Sequence, residues 1–159
     1  MSTEKDFHYL RRALELAREG MDKGVGGPFG AVIVLDGEVI AEAYNEVIAG
    51  HDPTAHAEIQ AIRKACGKTE TFHLPGATIY SSCEPCPMCL GAIYWAHIDR
   101  VVYASGMQDA DKVDFYDQFI YDQLGLPGDE RSIQFEQLLK EEGAGLFKMW
   151  AEKEDKTPY

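Results

Sequence analysis

The sequence predicts a mixed α/β fold built on a five-stranded sheet, and three observations carry that prediction. Amphipathic helical stripes alternate with short apolar runs along the chain. The Asp36-Gly37 pair, a strong hairpin signal, joins the first two runs, and the later runs are separated by helix-length segments that favour parallel crossovers.

From Thr3 to about Lys23, the residues Phe7, Leu10, Leu14, Ala17 and Met21 recur at helical steps and form one apolar stripe, with Thr3 and Asp6 spaced as a capping box. Gly24-Val25-Gly26-Gly27-Pro28 ends that helix. Ala31-Val32-Ile33-Val34-Leu35 then reads as a buried strand, and Glu38 to Tyr44 returns beside it as an antiparallel partner. After a loop from Asn45 to Pro53, Thr54 is placed as the N-cap of a helix running to about Ala65. Ala77 to Tyr80 reads as a third strand, about 86–96 as a helix with Pro85 and Pro87 at its start, and Val101 to Ala104 as a fourth strand. Gly106 to Asp129 is acidic, aromatic and aperiodic. Ile133 to Leu138 alternates as a fifth strand should, and Leu146, Phe147, Met149 and Trp150 place apolar mass on a short last helix.

The chain of 159 residues fits a single domain large enough to bury a core without disulfides. Three of its four cysteines, Cys83, Cys86 and Cys89, crowd into one short stretch, which suits metal binding in a reducing compartment. A polar N-terminus and the absence of a long apolar run lead us to expect a cytoplasmic protein. Net charge is −12, from 15 Lys and Arg against 27 Asp and Glu. Binding a polynucleotide requires neutralising phosphates, so this balance argues against a nucleic-acid partner.

Two short blocks make chemical sense only together: His56-Ala57-Glu58 and Pro85-Cys86-Pro87-Met88-Cys89. His56, Cys86 and Cys89 supply three zinc ligands and leave one tetrahedral position for water; Glu58 supplies the base that such a water needs. Residues two apart on a helix point about 200° away from each other, so His56 and Glu58 can face one metal only at a helix start. The same residues admit a closed site in which Cys83 is a fourth ligand. They also admit an iron–sulfur cluster, because Cys83, Cys86 and Cys89 are evenly spaced. Neither alternative accounts for the His-Ala-Glu block, and His-x-Glu followed by Pro-Cys-x-x-Cys is the signature of zinc deaminases acting on nucleobases.

On these residues the chain resembles the cytidine-deaminase-like zinc deaminases, and within them the bacterial guanine deaminases. The closer likeness rests on longer strings: 26–34 (GGPFGAVIV), 52–58 (DPTAHAE), 83–96 (CEPCPMCLGAIYWA), 119–121 (FIY) and a C-terminal tyrosine. It spans nearly the whole chain. The resemblance implies a three-layer α/β/α arrangement and a homodimer, in some members with the C-terminal segment, about 130–159, exchanged between subunits. It implies one zinc per subunit and hydrolysis of guanine to xanthine and ammonia, with zinc-bound hydroxide as nucleophile and Glu58 as proton shuttle. It places Asn45 on the polar edge of the ring, Asp117 within reach of its N–H donors, Phe29 and Trp95 in stacking positions, and Tyr159 in the closure of the pocket. Guanosine, cytosine or an aminotriazine such as ammeline would be served by the same chemistry, and a non-catalytic zinc module is the reading from a different class. Taken alone, Asn45 also fits a turn, Phe29 and Trp95 a core, Asp117 a solvated carboxylate and Tyr159 a tail.

Overall fold

The computed structural model describes residues 3–159, which fall into two compact units, one reaching to Gln118 and one from Phe119 to Tyr159. In the first, helix α1 (Glu4–Asp22) starts with the expected capping box between Thr3 and Asp6. Strand β1 (Gly30–Leu35) turns at Asp36 and Gly37, both with positive φ, into β2 (Glu38–Tyr44). A single turn, α2 (Val47–Gly50), precedes helix α3 (Ala57–Thr69). Strand β3 (Thr78–Cys83), helix α4 (Pro87–Trp95) and strand β4 (Arg100–Ser105) follow, and a short helix, α5 (Met107–Asp111), comes next.

The sheet has the order β2-β1-β3-β4, with β1 antiparallel to both of its neighbours and β3 parallel to β4. Alternation along β1 explains its unbroken apolar run. Ala31 and Ile33 face a core formed with Ala57, Ala61 and Ala65 of α3 and Ile93 of α4, whereas Val32 and Val34 face Ala13 and Leu16 of α1. Both faces are therefore covered, giving the three layers α/β/α. The alanines of α3 recur every four residues, and their small side chains let the helix lie close on the sheet.

Several expectations need correction. The sheet has four strands, and Ile133 to Leu138 is not a strand. Alternation makes a segment compatible with a sheet, but a strand needs a partner ladder. Among the described residues this segment has none, and Ile133, at 72% exposure, presents its side chain to solvent. Thr54 is not the N-cap of α3. Its hydroxyl and N–H both donate to Asp52 Oδ1, at 2.7 and 2.8 Å, forming a side-chain turn, and His56 in extended conformation takes the cap position. Strand β3 runs on to Cys83, and the last helix is longer than expected.

The second unit continues helix α6 (Asp117–Gly125), then has a 3₁₀ turn at Gly128–Glu130 and helix α7 (Lys140–Glu152). Arg131 Nε donates to the carbonyls of Gln123 and Leu126, both at 3.1 Å, and Ser132 N–H donates to Gln123 Oε1. Polar contacts thus hold the chain reversal. Helix α7 has no buried residue, and Leu146, Phe147 and Met149 are exposed. Among the described residues no helix is long and apolar enough to cross a membrane.

Candidate active site

The ends of four elements meet at one edge of the sheet: the start of β1, the end of β3, and the N-termini of α3 and α4. Crevices at the carboxyl ends of parallel strands are the usual ligand sites of α/β sheets, and β3 and β4 are the parallel pair here. His56 caps α3 with φ −67° and ψ 155°, so its side chain is not yet bound to the helical period. Glu58, in the first turn, can then come round to the same place. Cys86 is the N-cap of α4 and Cys89 lies in its first turn, which turns both sulfurs toward α3.

His56 Nδ1 lies 3.6 Å from Cys86 Sγ and 3.5 Å from Cys89 Sγ, and the three donor atoms lie within 4.8 Å of one another. A tetrahedral zinc bonded to nitrogen and sulfur at its ordinary lengths sets those atoms about 3.6 Å apart, so the donor set fits the metal in kind and in spacing. Three protein donors is also the number of a catalytic zinc, whereas a structural one takes four. The shifts of the two thiols oppose each other. The Cys89 hydrogen bond, together with His56, pulls Cys86 down to about 4, while that same bond and burial push the Cys89 thiol up. A cation removes the conflict by allowing both sulfurs to ionise.

Glu58 is buried. Its Oε1 accepts from the Ser81 hydroxyl at 2.9 Å and its Oε2 from Cys89 Sγ at 3.4 Å; burial pushes its carboxyl above the usual range. A carboxyl shifted in that direction is better suited to take and return a proton than an ordinary one. His56, Glu58 and Cys86 open into a cavity of about 320 Å³ that Asn45, Phe29 and Asp117 also line. That volume is at the small end for small-molecule sites and suits a molecule the size of a nucleobase.

Asn45 is buried with its Oδ1 accepting from the Gly27 and Val47 N–H groups, each at 3.2 Å. Those two donors fix the orientation of the amide and leave the Nδ2 group as the donor available to a ligand. The close approach explains Gly26: a Cβ there would lie 2.2 Å from both the Asn45 carbonyl oxygen and Oδ1. Burial raises the Asp117 carboxyl above its ordinary range, and the charge of Cys86 adds to the effect.

Of the residues singled out in the sequence, the structure brings His56, Glu58, Cys86, Cys89, Asn45, Phe29 and Asp117 together. It does not bring Trp95 there. Trp95 ends α4, six residues past Cys89, which carries it about 9 Å along the axis and a third of a turn off the cysteine face. At 67% exposure it lies on the surface. Tyr159 belongs to the second unit and is exposed. Phe115 was missed, although its ring meets Phe29 edge-on with centroids 4.8 Å apart and lines the cavity. It lies in the aperiodic stretch, where no spacing marks it. Ser81 was also missed, but it carried a signal: it alternates with Ile79 on the face of β3 that looks toward α3.

With this geometry, residues 3–105 match the family model described as the cytidine and deoxycytidylate deaminase zinc-binding region. The chain belongs to this family. It is 50% identical over 151 residues to the guanine deaminase of Bacillus subtilis, an alignment covering 95% of this chain and 97% of that one. The X-ray structure of guanine deaminase from Bacillus subtilis superposes with a TM-score of 0.94 at 48% identity, covering 100% of this chain and 99% of the other. A tRNA-specific adenosine deaminase from Aquifex aeolicus is 41% identical over 98 residues, 62% of this chain and 64% of its own. Membership makes the chain a zinc-dependent hydrolase that acts on a C–N bond, as the two motif blocks imply, and the likeness to a guanine deaminase along almost all of the chain is consistent with a small-molecule substrate.

Proposed function

We propose that this deaminase converts guanine and water to xanthine and ammonia. The observation that carries the reading is that one small cavity brings a buried proton carrier, Glu58, to face an amide donor, Asn45, and a carboxylate, Asp117, across an aromatic wall. The similarity to a guanine deaminase along almost all of the chain supports the choice of ring.

When bound by His56, Cys86 and Cys89, zinc supplies Lewis acidity that readies a water for attack at neutral pH. Glu58 takes the proton that this water gives up and passes it to the ring nitrogen next to C2; it then takes the remaining proton of the hydroxyl now on C2 and delivers it to the departing amine, so that the C–N bond breaks, ammonia leaves and the C2 carbonyl forms. Asn45 Nδ2 donates to an acceptor on the polar edge of the ring. Asp117 accepts from guanine N–H groups, a pairing that adenine or cytosine cannot match in full. Phe29, braced by Phe115, covers one face of the ring. Tyr159 is assigned to closure of the pocket and Trp95 to an aromatic contact made in the assembled protein. The compartment is the cytoplasm, consistent with four free cysteines.

We infer also that the protein is a homodimer in which the C-terminal segment, about 130–159, is exchanged. Forty-one residues, Phe119 to Tyr159, are too few to form a core of their own, and the exposed apolar side chains of α7 need a partner. Light scattering tests this, with a monomer mass overturning it. The activity is tested by ammonia release from equal amounts of guanine, guanosine, cytosine, adenine and ammeline, with Glu58→Gln as control. Release from guanine that disappears in the control is the expected result; release from another ring alone moves the substrate, and no release at all favours a structural zinc module.

A further inference from the structure

Glu84 lies inside the cysteine block and lines the cavity, and its position invites two roles: a second proton carrier or a brace. The hydrogen bonds separate them. Glu84 Oε2 accepts from the N–H of Met107 at 3.1 Å, and the Glu84 N–H donates to the Ser105 carbonyl at 2.9 Å. Beside it, Cys83 Sγ donates to the Gly106 carbonyl at 3.8 Å, where Cys83 and Ser105 are also paired across β3 and β4. Two of these links are made by side chains past the end of the ladder, Cys83 to Gly106 and Glu84 to Met107, and the second reaches into α5.

Met107 opens the segment that carries two walls of the cavity. It is the first residue of α5, whose Ala110 is buried and whose Ala110 carbonyl accepts from the Phe115 N–H at 3.2 Å. The Phe115 carbonyl in turn accepts from the Asp117 N–H at 3.0 Å. A continuous set of hydrogen bonds thus leads from the cysteine block to the ring that braces Phe29 and to the carboxylate assigned to the substrate N–H groups. We propose that Glu84 is a positioning residue for the substrate, fixing residues 107–117, and with them Phe115 and Asp117, to the loop that holds Cys86. The inference rests on the deamination proposed above and names a further residue of that site.

The N–H of Met107 gives a way to break the same bond from its other end. At the first position of a helix, proline removes the N–H and leaves the helix intact, and Gly106, with φ −83° and ψ 163°, already has the extended backbone that a following proline requires. Full-length, zinc-loaded protein with Glu84→Ala, Glu84→Gln, Met107→Pro, or the Glu84→Ala and Met107→Pro pair is compared by kcat and KM for guanine. Amide hydrogen exchange over residues 107–117 is measured on the same samples. Glu84→Ala and Met107→Pro should each raise KM about tenfold, with kcat little changed and faster exchange in the segment; the double variant should add nothing further. Glu84→Gln retains an acceptor oxygen and should restore both readouts. A Glu84→Gln variant that loses kcat with unchanged exchange would make Glu84 a proton carrier and overturn the proposal, as would unchanged KM and exchange in Glu84→Ala. The exchange measurement needs no turnover. If the parent protein does not act on guanine, the substrate reading falls while exchange still decides whether Glu84 holds the segment.

Discussion

Ser81 donates its hydroxyl to Glu58 Oε1 at 2.9 Å, and both side chains are buried. The bond joins the central strand β3 to the first turn of α3, so the carboxylate is aimed by the sheet. A buried carboxylate that must change protonation in each turnover needs a partner able to serve both states, and a hydroxyl, which donates and accepts, is such a partner. Ser81→Ala should therefore lower kcat about tenfold, the value of one hydrogen bond to a charged group, while zinc content is unchanged. Parallel measurement of kcat and bound zinc decides it: a variant with the parent kcat leaves Ser81 as packing.

Gly26 is required by the approach of Asn45, since a Cβ at Gly26 would lie 2.2 Å from two Asn45 oxygens. Both contacts are to groups held in place by backbone hydrogen bonds, so neither can swing aside. Gly26→Ala should destabilise the fold by about 1–3 kcal/mol and, by displacing the Asn45 amide, raise KM. For a chain of this size that corresponds to a fall in Tm of about 3–10 °C. Calorimetry with and without zinc, alongside KM, reads both effects. An unchanged melt would mean that the Asn45 loop adjusts freely.

What the sequence made legible followed from chemistry that has few solutions. Zinc needs soft donors at short spacing, and His56, Cys86 and Cys89 declared themselves by that need, as did Glu58 by standing beside the histidine. The capping box at Thr3 and the turn at Asp36-Gly37 were legible because local rules alone decide them. Ile133 to Leu138 misled because alternation is local, whereas a strand is made by its neighbour. Thr54 misled because Asp52 offered its side chain a nearer partner than the helix end. Phe115 could not be seen, because what places it is a contact across the fold and not a period along the chain.

Asp6 joins three distant elements. Its carboxylate accepts from Arg100 Nη1 at 2.7 Å and Nη2 at 3.2 Å, from the Tyr80 hydroxyl at 2.7 Å and from the Thr3 N–H at 2.7 Å. Arg100, followed by the Thr3 N–H and Tyr80, holds the Asp6 carboxyl well below the usual carboxylate range. A group whose pKa is lower in the folded state stabilises the fold above its unfolded pKa, about 3.9, and loses that contribution as pH falls toward the folded value. Asp6→Asn should thus lower Tm at pH 7, and the gap to the parent should narrow below about pH 4. Melts across that range test the sign. A gap that widens on acidification would mean that Asp6 stabilises in its neutral form, against the direction argued.

Cys83 decides between an open zinc site and a closed one. It is buried, its sulfur donates to the Gly106 carbonyl at 3.8 Å, and it is not among the three donors that converge with His56. Its sulfur is turned to that carbonyl, away from the other three donors, and burial pushes its thiol up to about 11. Serine preserves the donor to Gly106 at nearly the same volume. Cys83→Ser should therefore bind about one zinc per chain and retain most activity, whereas Cys86→Ser and Cys89→Ser should lose most of the metal and with it the turnover. Zinc measured by mass spectrometry after dialysis, with circular dichroism to confirm folding, reads the outcome. Loss of zinc from folded Cys83→Ser would make the site a closed four-ligand one and leave no position for the attacking water.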